Sequence, residues 1–186
     1  MVPSLLPLYL TIFIDVLGFT LVIPLLAYYA ERFGASPLQV GLLNASYAAL
    51  QLFSGPILGA ISDRVGRKKT LIFSQLGTFL GFAMLGGAQS LWMLFAGRMI
   101  AGATAGNLTI AQAYISDVTP PEKRTAAFGI IGIAFGMGFL VGPPASGLIA
   151  HRFGYAAPPL IAAGLSALSA VLTLTRLPDI RPAPPT

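Results

Sequence analysis

The chain has 186 residues, 55% of them hydrophobic and 9% charged, with a net charge of +5 and a mean hydropathy of +0.80. A soluble domain carries about a quarter charged residues, so there is too little polar side chain here to cover a water-exposed globule, and the composition specifies an integral membrane protein. With no cysteine, one histidine and six scattered carboxylates, disulfide and thiolate chemistry are excluded and no metal cluster is expected.

A helix needs ~20 mostly apolar residues to cross a bilayer. Six spans meet that need, at about 7–30, 39–62, 70–87, 91–115, 125–149 and 156–175. The expected fold is therefore all-α, a bundle of six transmembrane helices over residues 1–176, with 177–186 opening a cytoplasmic linker or tail. The first span is interrupted only by Asp15 and has no basic leader, so it does not read as a cleavable signal. It closes at Glu31-Arg32-Phe33-Gly34-Ala35-Ser36-Pro37.

The second span runs into Gly59-Ala-Ile-Ser-Asp-Arg-Val-Gly-Arg-Lys-Lys69, where five of the seventeen charged side chains fall between Asp63 and Lys69. Such a cluster between apolar runs reads as a tight loop at a membrane surface. The third and fourth spans part at the weak break Gly86-Gly87-Ala88-Gln89-Ser90, and the fourth and fifth at Asp117-Val-Thr-Pro-Pro-Glu-Lys-Arg124. Paired prolines remove backbone donors and end helices. The fifth and sixth are divided by His151-Arg-Phe-Gly154.

Two three-helix repeats, spans one to three and four to six, are the expected arrangement, as in many transporters. The similar strings Glu31-Arg32-Phe33-Gly34-Ala35 and His151-Arg152-Phe153-Gly154-Tyr155 fall on the same face and lend it no support.

Lysine and arginine fix the expected orientation. Arg64, Arg67, Lys68, Lys69, Lys123, Arg124, Arg176 and Arg181 lie on one face, Arg32 and Arg152 on the other, and Arg98 inside a span. Basic residues concentrate on the cytoplasmic side, which places both termini in the cytoplasm of a plasma (inner) membrane. The same cations favour anionic inner-leaflet lipid, and no nucleic-acid partner is expected.

Asp15 lies roughly 10–18 Å along its helix from the cytoplasmic end. An intramembrane carboxyl faces a cavity or a partner. It is either a group that gains and loses a proton during transport or a protonated structural residue. Arg98, about two turns into the fourth span, must find a carboxylate, carbonyls, water or an anionic substrate, because it does not discharge; pairing with Asp15 is one solution, and outward snorkelling another. In the fifth span Gly129, Gly132, Gly136, Gly138, Gly142, Pro143 and Gly147 form a small-residue pattern suited to close helix approach. Candidate pathway residues are Asn44, Gln51, Asn107 and Gln112, with Ser74, Gln75 and Thr109 as further polar groups that a neighbouring helix could equally satisfy.

These strings resemble, in order, the amino-terminal half of a major facilitator superfamily transporter, and more narrowly the proton-coupled drug antiporters, tetracycline exporters among them. Asp15-x2-Gly18-x5-Pro24 is similar to the family's first helix, and Gly59-x3-Asp63-Arg64-x-Gly66-Arg67-Lys68 to its loop between helices two and three. Leu94-x3-Arg98-x3-Gly102, Asp117-x-Thr-Pro-Pro-Glu-x-Arg124 and the Gly129–Gly147 pattern resemble the fourth helix, its exit and the antiporter signature of helix five.

The resemblance implies alternating access, with Asp63, Arg67 and Asp117 in a cytoplasmic charge network to which Gly59, Arg64, Gly66 and Arg124 also belong, Arg98 connecting proton state to substrate, and Gly138–Pro143 shaping helix five at a domain interface. It implies small-molecule substrate and protons as partners beside the lipid bilayer; no cofactor is expected, and with no nucleophile–base pair, metal cluster or phosphate-cradling loop in the sequence no enzymatic activity is expected either. The family has two six-helix halves, so a chain of this length is expected to be split, truncated, or paired with a second half or with itself. A sugar or organic-acid carrier and a non-transporting fragment are the rival readings.

Overall fold

A computed structural model describes residues 5–180, and among them the only regular structure is helical. The helices are α1 (Leu6–Glu31), α2 (Pro37–Val65), α3 (Arg67–Gly86), α4 (Leu91–Ala103), α5 (Asn107–Val118), α6 (Pro121–Phe153) and α7 (Ala157–Arg176). By length and composition α1, α6 and α7 are each apolar enough to cross a membrane. At ~1.5 Å per residue, the 29-residue α2 and the 20-residue α3 also reach across.

Local chemistry sets the ends. Ser36 caps α2 in a reciprocal capping box with Gln39, and Ser90 caps α4 by accepting from the Met93 amide. Proline occupies the first turn of α1, α2, α6 and α7, where no amide donor is needed. Gly66 alone separates α2 from α3, at φ 111°, a conformation that excludes side chains with a Cβ. The charged segment is consequently not a loop: Asp63 and Arg64 end α2, while Arg67, Lys68 and Lys69 open α3.

The fourth span differs from the continuous helix expected over 91–115. It breaks at Thr104–Gly106 into α4 and α5. Ser74 of α3 fills the break, its hydroxyl donating to the Thr104 carbonyl and accepting from the Gly106 amide at 2.9 Å. A break at membrane depth survives only where protein satisfies the freed backbone groups, and here one side chain satisfies two. Gly106 is required as well, since a Cβ there would lie 2.7 Å from Leu58 Cδ1.

Packing follows an exchange pattern. α1 lies against α6 and α7 as α4 lies against α2 and α3, while α3 and α7 pack on each other. With α4 and α5 counted as one span, swapping spans one and four, two and five, three and six preserves these neighbours, the relation of two three-helix repeats. Small residues permit the approaches: Gly81 meets Gly97 between α3 and α4, and Gly18 meets Ala162 between α1 and α7. After α7 the chain folds back, burying Leu177 beside Leu71 and Tyr114, and the Tyr114 hydroxyl donates to the Pro178 carbonyl at 3.1 Å. Residues 181–186, including Arg181, lie outside the described residues.

Candidate functional site

Asp15 projects from α1 into the wall of a cavity of about 280 Å³. Its Oδ2 accepts from Asn107 Nδ2 at 2.9 Å, and its Oδ1 is buried without a hydrogen-bond partner. Gln75 of α3 and Ser169 of α7 stand against the same carboxyl, joined to each other by a 2.9 Å bond from Gln75 Nε2 to Ser169 Oγ. The break in span four explains this geometry. It makes Asn107 the first residue of α5, so the positive end of a helix dipole lies beside the carboxylate.

The remaining lining is largely Ile12, Val16, Phe19, Phe82 and Phe135, with Tyr47, Gln51 and Thr78 as isolated polar points. Apolar walls with a few placed polar groups suit an amphipathic small molecule. Arg98 is not among the lining side chains. It is buried with its Cζ 4.0 Å from the centroid of Tyr47, which separates it from the cavity. Stacking on the ring holds the cation, while Nε and Nη1 have no hydrogen-bond partner among the described residues. The expected alternative of an Asp15–Arg98 pair is not adopted: Asp15 is engaged by Asn107 instead.

Where α2 and α5 end and α3 begins, Arg67 is the hub of an ion network. Its guanidinium reaches Asp63 Oδ1 at 2.5 Å and Asp117 Oδ2 at 2.9 Å, and donates to Ser62 Oγ at 2.5 Å. Asp63 and Asp117 both sit in last helical turns, where a negative charge opposes the helix dipole, and Arg67 sits in a first turn, where a positive one does. The network cancels three unfavourable placements at once. Gly59 brings α2 close to α5, a Cβ there falling 3.2 Å from Thr109. Arg124 stands apart from the carboxylates; it donates to the Ser116 and Thr119 carbonyls and caps α5. Arg64 is exposed.

The glycine pattern of α6 divides into two faces. Gly138 and Gly142 press on Val16 and Thr20 of α1, with the Thr20 hydroxyl donating to the Gly138 carbonyl at 3.0 Å. Gly129, Gly132, Gly136 and Gly147 meet nothing within 4 Å of a built Cβ. Pro143 lies inside α6, which runs unbroken through it. Of the candidate pathway residues, Gln51 and Asn107 line the cavity, whereas Asn44 and Gln112 are exposed and outside its lining. The sequence does not single out Tyr47 or Ser169, and it offers Gln75 only as a polar group that a neighbouring helix could satisfy. The hydroxyl stripe Ser166, Ser169 and Thr173, spaced three and four residues apart on α7 and buried, is the sequence signal that could have pointed to that wall.

Six spans in two interlocked repeats, with a carboxyl at membrane depth beside a cavity, form the kind of half-bundle from which many transporter folds are built. The model described as Major Facilitator Superfamily matches residues 8–186, and the chain belongs to that family. It is 38% identical over 166 residues to the class E tetracycline resistance protein of Escherichia coli, covering 88% of this chain and 41% of that protein. It is 33% identical over 156 residues to human solute carrier family 67 member A1, covering 81% of this chain and 37% of the relative. The chain thus spans about two-fifths of the length of these curated relatives. The fold matches the crystal structure of the human organic anion transporter MFSD10 (TETRAN) with a TM-score of 0.83 at 24% identity, over 94% of this chain and 47% of that one. The peptide transporter POT in complex with sulfate also matches with a TM-score of 0.83, at 22% identity, over 98% of this chain and 40% of that chain.

Proposed function

We propose that this chain is the amino-terminal half of a proton-coupled exporter of small amphipathic molecules, completed by a second six-helix half. The observation that carries the reading is the Asp15 carboxyl beside the cavity, held by Asn107 on one oxygen and buried without a hydrogen-bond partner on the other. A carboxyl so placed can pass a proton between the cavity and a substrate-bound state, and a partly aromatic wall suits drug-like compounds. Similarity to tetracycline resistance proteins supports export of that substrate class. Both termini face the cytoplasm on this reading, with Arg67 joining Asp63 and Asp117 at the surface that meets the second half.

The test is tetracycline-driven proton movement in everted vesicles containing the chain alone or co-expressed with a second six-helix half. Exchange that requires both halves and is lost in Asp15→Asn at equal protein level supports the reading. Exchange that survives Asp15→Asn overturns proton coupling at this residue. Sugar or organic-acid flux without drug flux would favour the rival carrier class, and inactivity with every partner a non-transporting fragment.

A further inference from the structure

A second cavity, of about 390 Å³, opens between the start of α1, the end of α5 and the first turns of α6, away from Asp15. We propose that it binds an anionic phospholipid, with an acyl chain between α1 and α6 and the phosphate at the α6 N-terminus. Its walls are Leu5 and Tyr9 on one side and Ala126 and Ile130 on the other. Its polar end carries Lys123, which is exposed and forms no ion pair among the described residues. Thr119 supplies an independent sign of a ligand: it lines the cavity, is only 9% exposed, and its buried hydroxyl has no hydrogen-bond partner among the described residues.

The electrostatics agree. The 33-residue α6 presents its positive end here. Lys123 and Arg124 outweigh the exposed Glu122 in the same turn, although Arg124 is committed to the Ser116 and Thr119 carbonyls. The order of groups distinguishes a lipid from a free anion. Backbone donors are few here, since Pro120 and Pro121 lack an N–H and the Lys123 amide is bonded to the Pro120 carbonyl, so the Lys123 ammonium is the principal group for the head, and the apolar walls extend from it along α1 and α6 to take the tail. Basic side chains at such a surface attract anionic lipid. The assignment to the cytoplasmic leaflet rests on the orientation proposed above, whereas binding itself does not.

The experiment uses the full chain in phosphatidylcholine nanodiscs doped with phosphatidylglycerol carrying a photoreactive acyl chain, with photoreactive phosphatidylcholine as the comparison. Crosslinks should map to 5–9 and 126–130 and prefer phosphatidylglycerol. Lys123→Gln should reduce them about fivefold. Thr119→Val should also reduce them, Ala126→Phe should block them by filling the walls, and Arg152→Gln on the opposite face should leave them unchanged. Equal labelling by both lipids, labelling that maps elsewhere, or indifference to Lys123→Gln overturns the proposal. So does displacement by inorganic phosphate, which would assign a free-anion site, or loss of labelling when a second half is present, which would assign the face to protein. An inverted orientation would leave the crosslinks intact in these symmetric discs and would appear only in cysteine labelling of cells.

Discussion

Asn107 donates to Asp15 across the centre of the bundle, Nδ2 to Oδ2 at 2.9 Å, and thereby ties the break in the fourth span to the buried carboxyl of the first. The two residues are 92 positions apart, and each depends on the other. Without the break Asn107 would sit mid-helix, and without Asn107 the carboxyl would face a helix end with no side-chain donor from α5. If Asp15 exchanges a proton, Asp15→Asn should reduce coupled flux to background while thermal stability holds, because the amide keeps the shape and still accepts from Asn107. Asn107→Ala should retain measurable flux and cost about 1 kcal/mol of stability. Loss of folded protein in Asp15→Asn would instead give the carboxyl a structural role.

Ser74 is the keystone of the break, satisfying the Thr104 carbonyl and the Gly106 amide with one hydroxyl. Ser74→Ala removes a partner from both groups but leaves the Gly106 amide donating to the Thr104 carbonyl at 2.8 Å, so the expected loss is about 1 kcal/mol, read as a lowered midpoint in detergent unfolding. Ser74→Thr should recover much of it, provided its added methyl is accommodated. An unchanged midpoint in Ser74→Ala would mean that water replaces the hydroxyl.

The sequence makes the helices legible because apolar runs of membrane length and Gly or Pro punctuation are local properties. The break in span four is not legible because Gly102 and Gly106 stand in an uncharged run of membrane length, and the residue that stabilises the break belongs to α3. Asp15 and Asn107 stand out as polar groups at membrane depth. Ser169 does not, since a single hydroxyl satisfies itself readily within a helix and its importance comes only from lying against Gln75. Arg124 illustrates a different limit. Its place in a charged motif suggests a carboxylate partner, yet the nearer unsatisfied groups are the carbonyls that end α5.

Arg67 should be the costliest residue of the ion network to remove. It is 6% exposed, and its loss leaves Asp63 and Asp117 at the negative ends of two helices. Breaking a fully buried pair costs 3–5 kcal/mol, but the Asp63 side chain is 54% exposed and that of Asp117 24%. For Arg67→Ala about 2 kcal/mol is therefore expected. Asp63→Asn should cost under about 1 kcal/mol. Unfolding midpoints test the order; equal effects from the two substitutions would show that Arg67 is not the hub.

The two faces of α6 predict opposite behaviour for similar substitutions. Gly138→Ala places a Cβ 2.6 Å from Val16 Cγ1, and Gly142→Ala collides with Thr20, so both should destabilise by about 1–3 kcal/mol. Gly129→Ala meets nothing and should leave stability unchanged or raise it by up to about 1 kcal/mol. If the open face meets a second half, Gly129→Ala should nonetheless lower flux in the assembled carrier. A substitution that spares the isolated chain's stability and impairs only the assembly would locate the contact; flux unaffected across Gly129, Gly132 and Gly136 would remove this face from it.

The orientation can be read without disturbing the charge balance that is thought to set it. The chain has no cysteine, so any introduced thiol is the only one. Gln89 and Glu122 are both exposed and lie at helix ends on opposite faces of the bundle. Neither is a lysine or arginine, so replacing it leaves intact the basic bias on which topology depends. With both termini cytoplasmic, Gln89→Cys should react with an impermeant maleimide in intact cells and Glu122→Cys only after permeabilisation. The reverse pattern would invert the chain and move the Arg67 network to the outside. Labelling of both thiols in intact cells would mean that the chain inserts in two orientations, and that its basic face does not by itself hold it one way round.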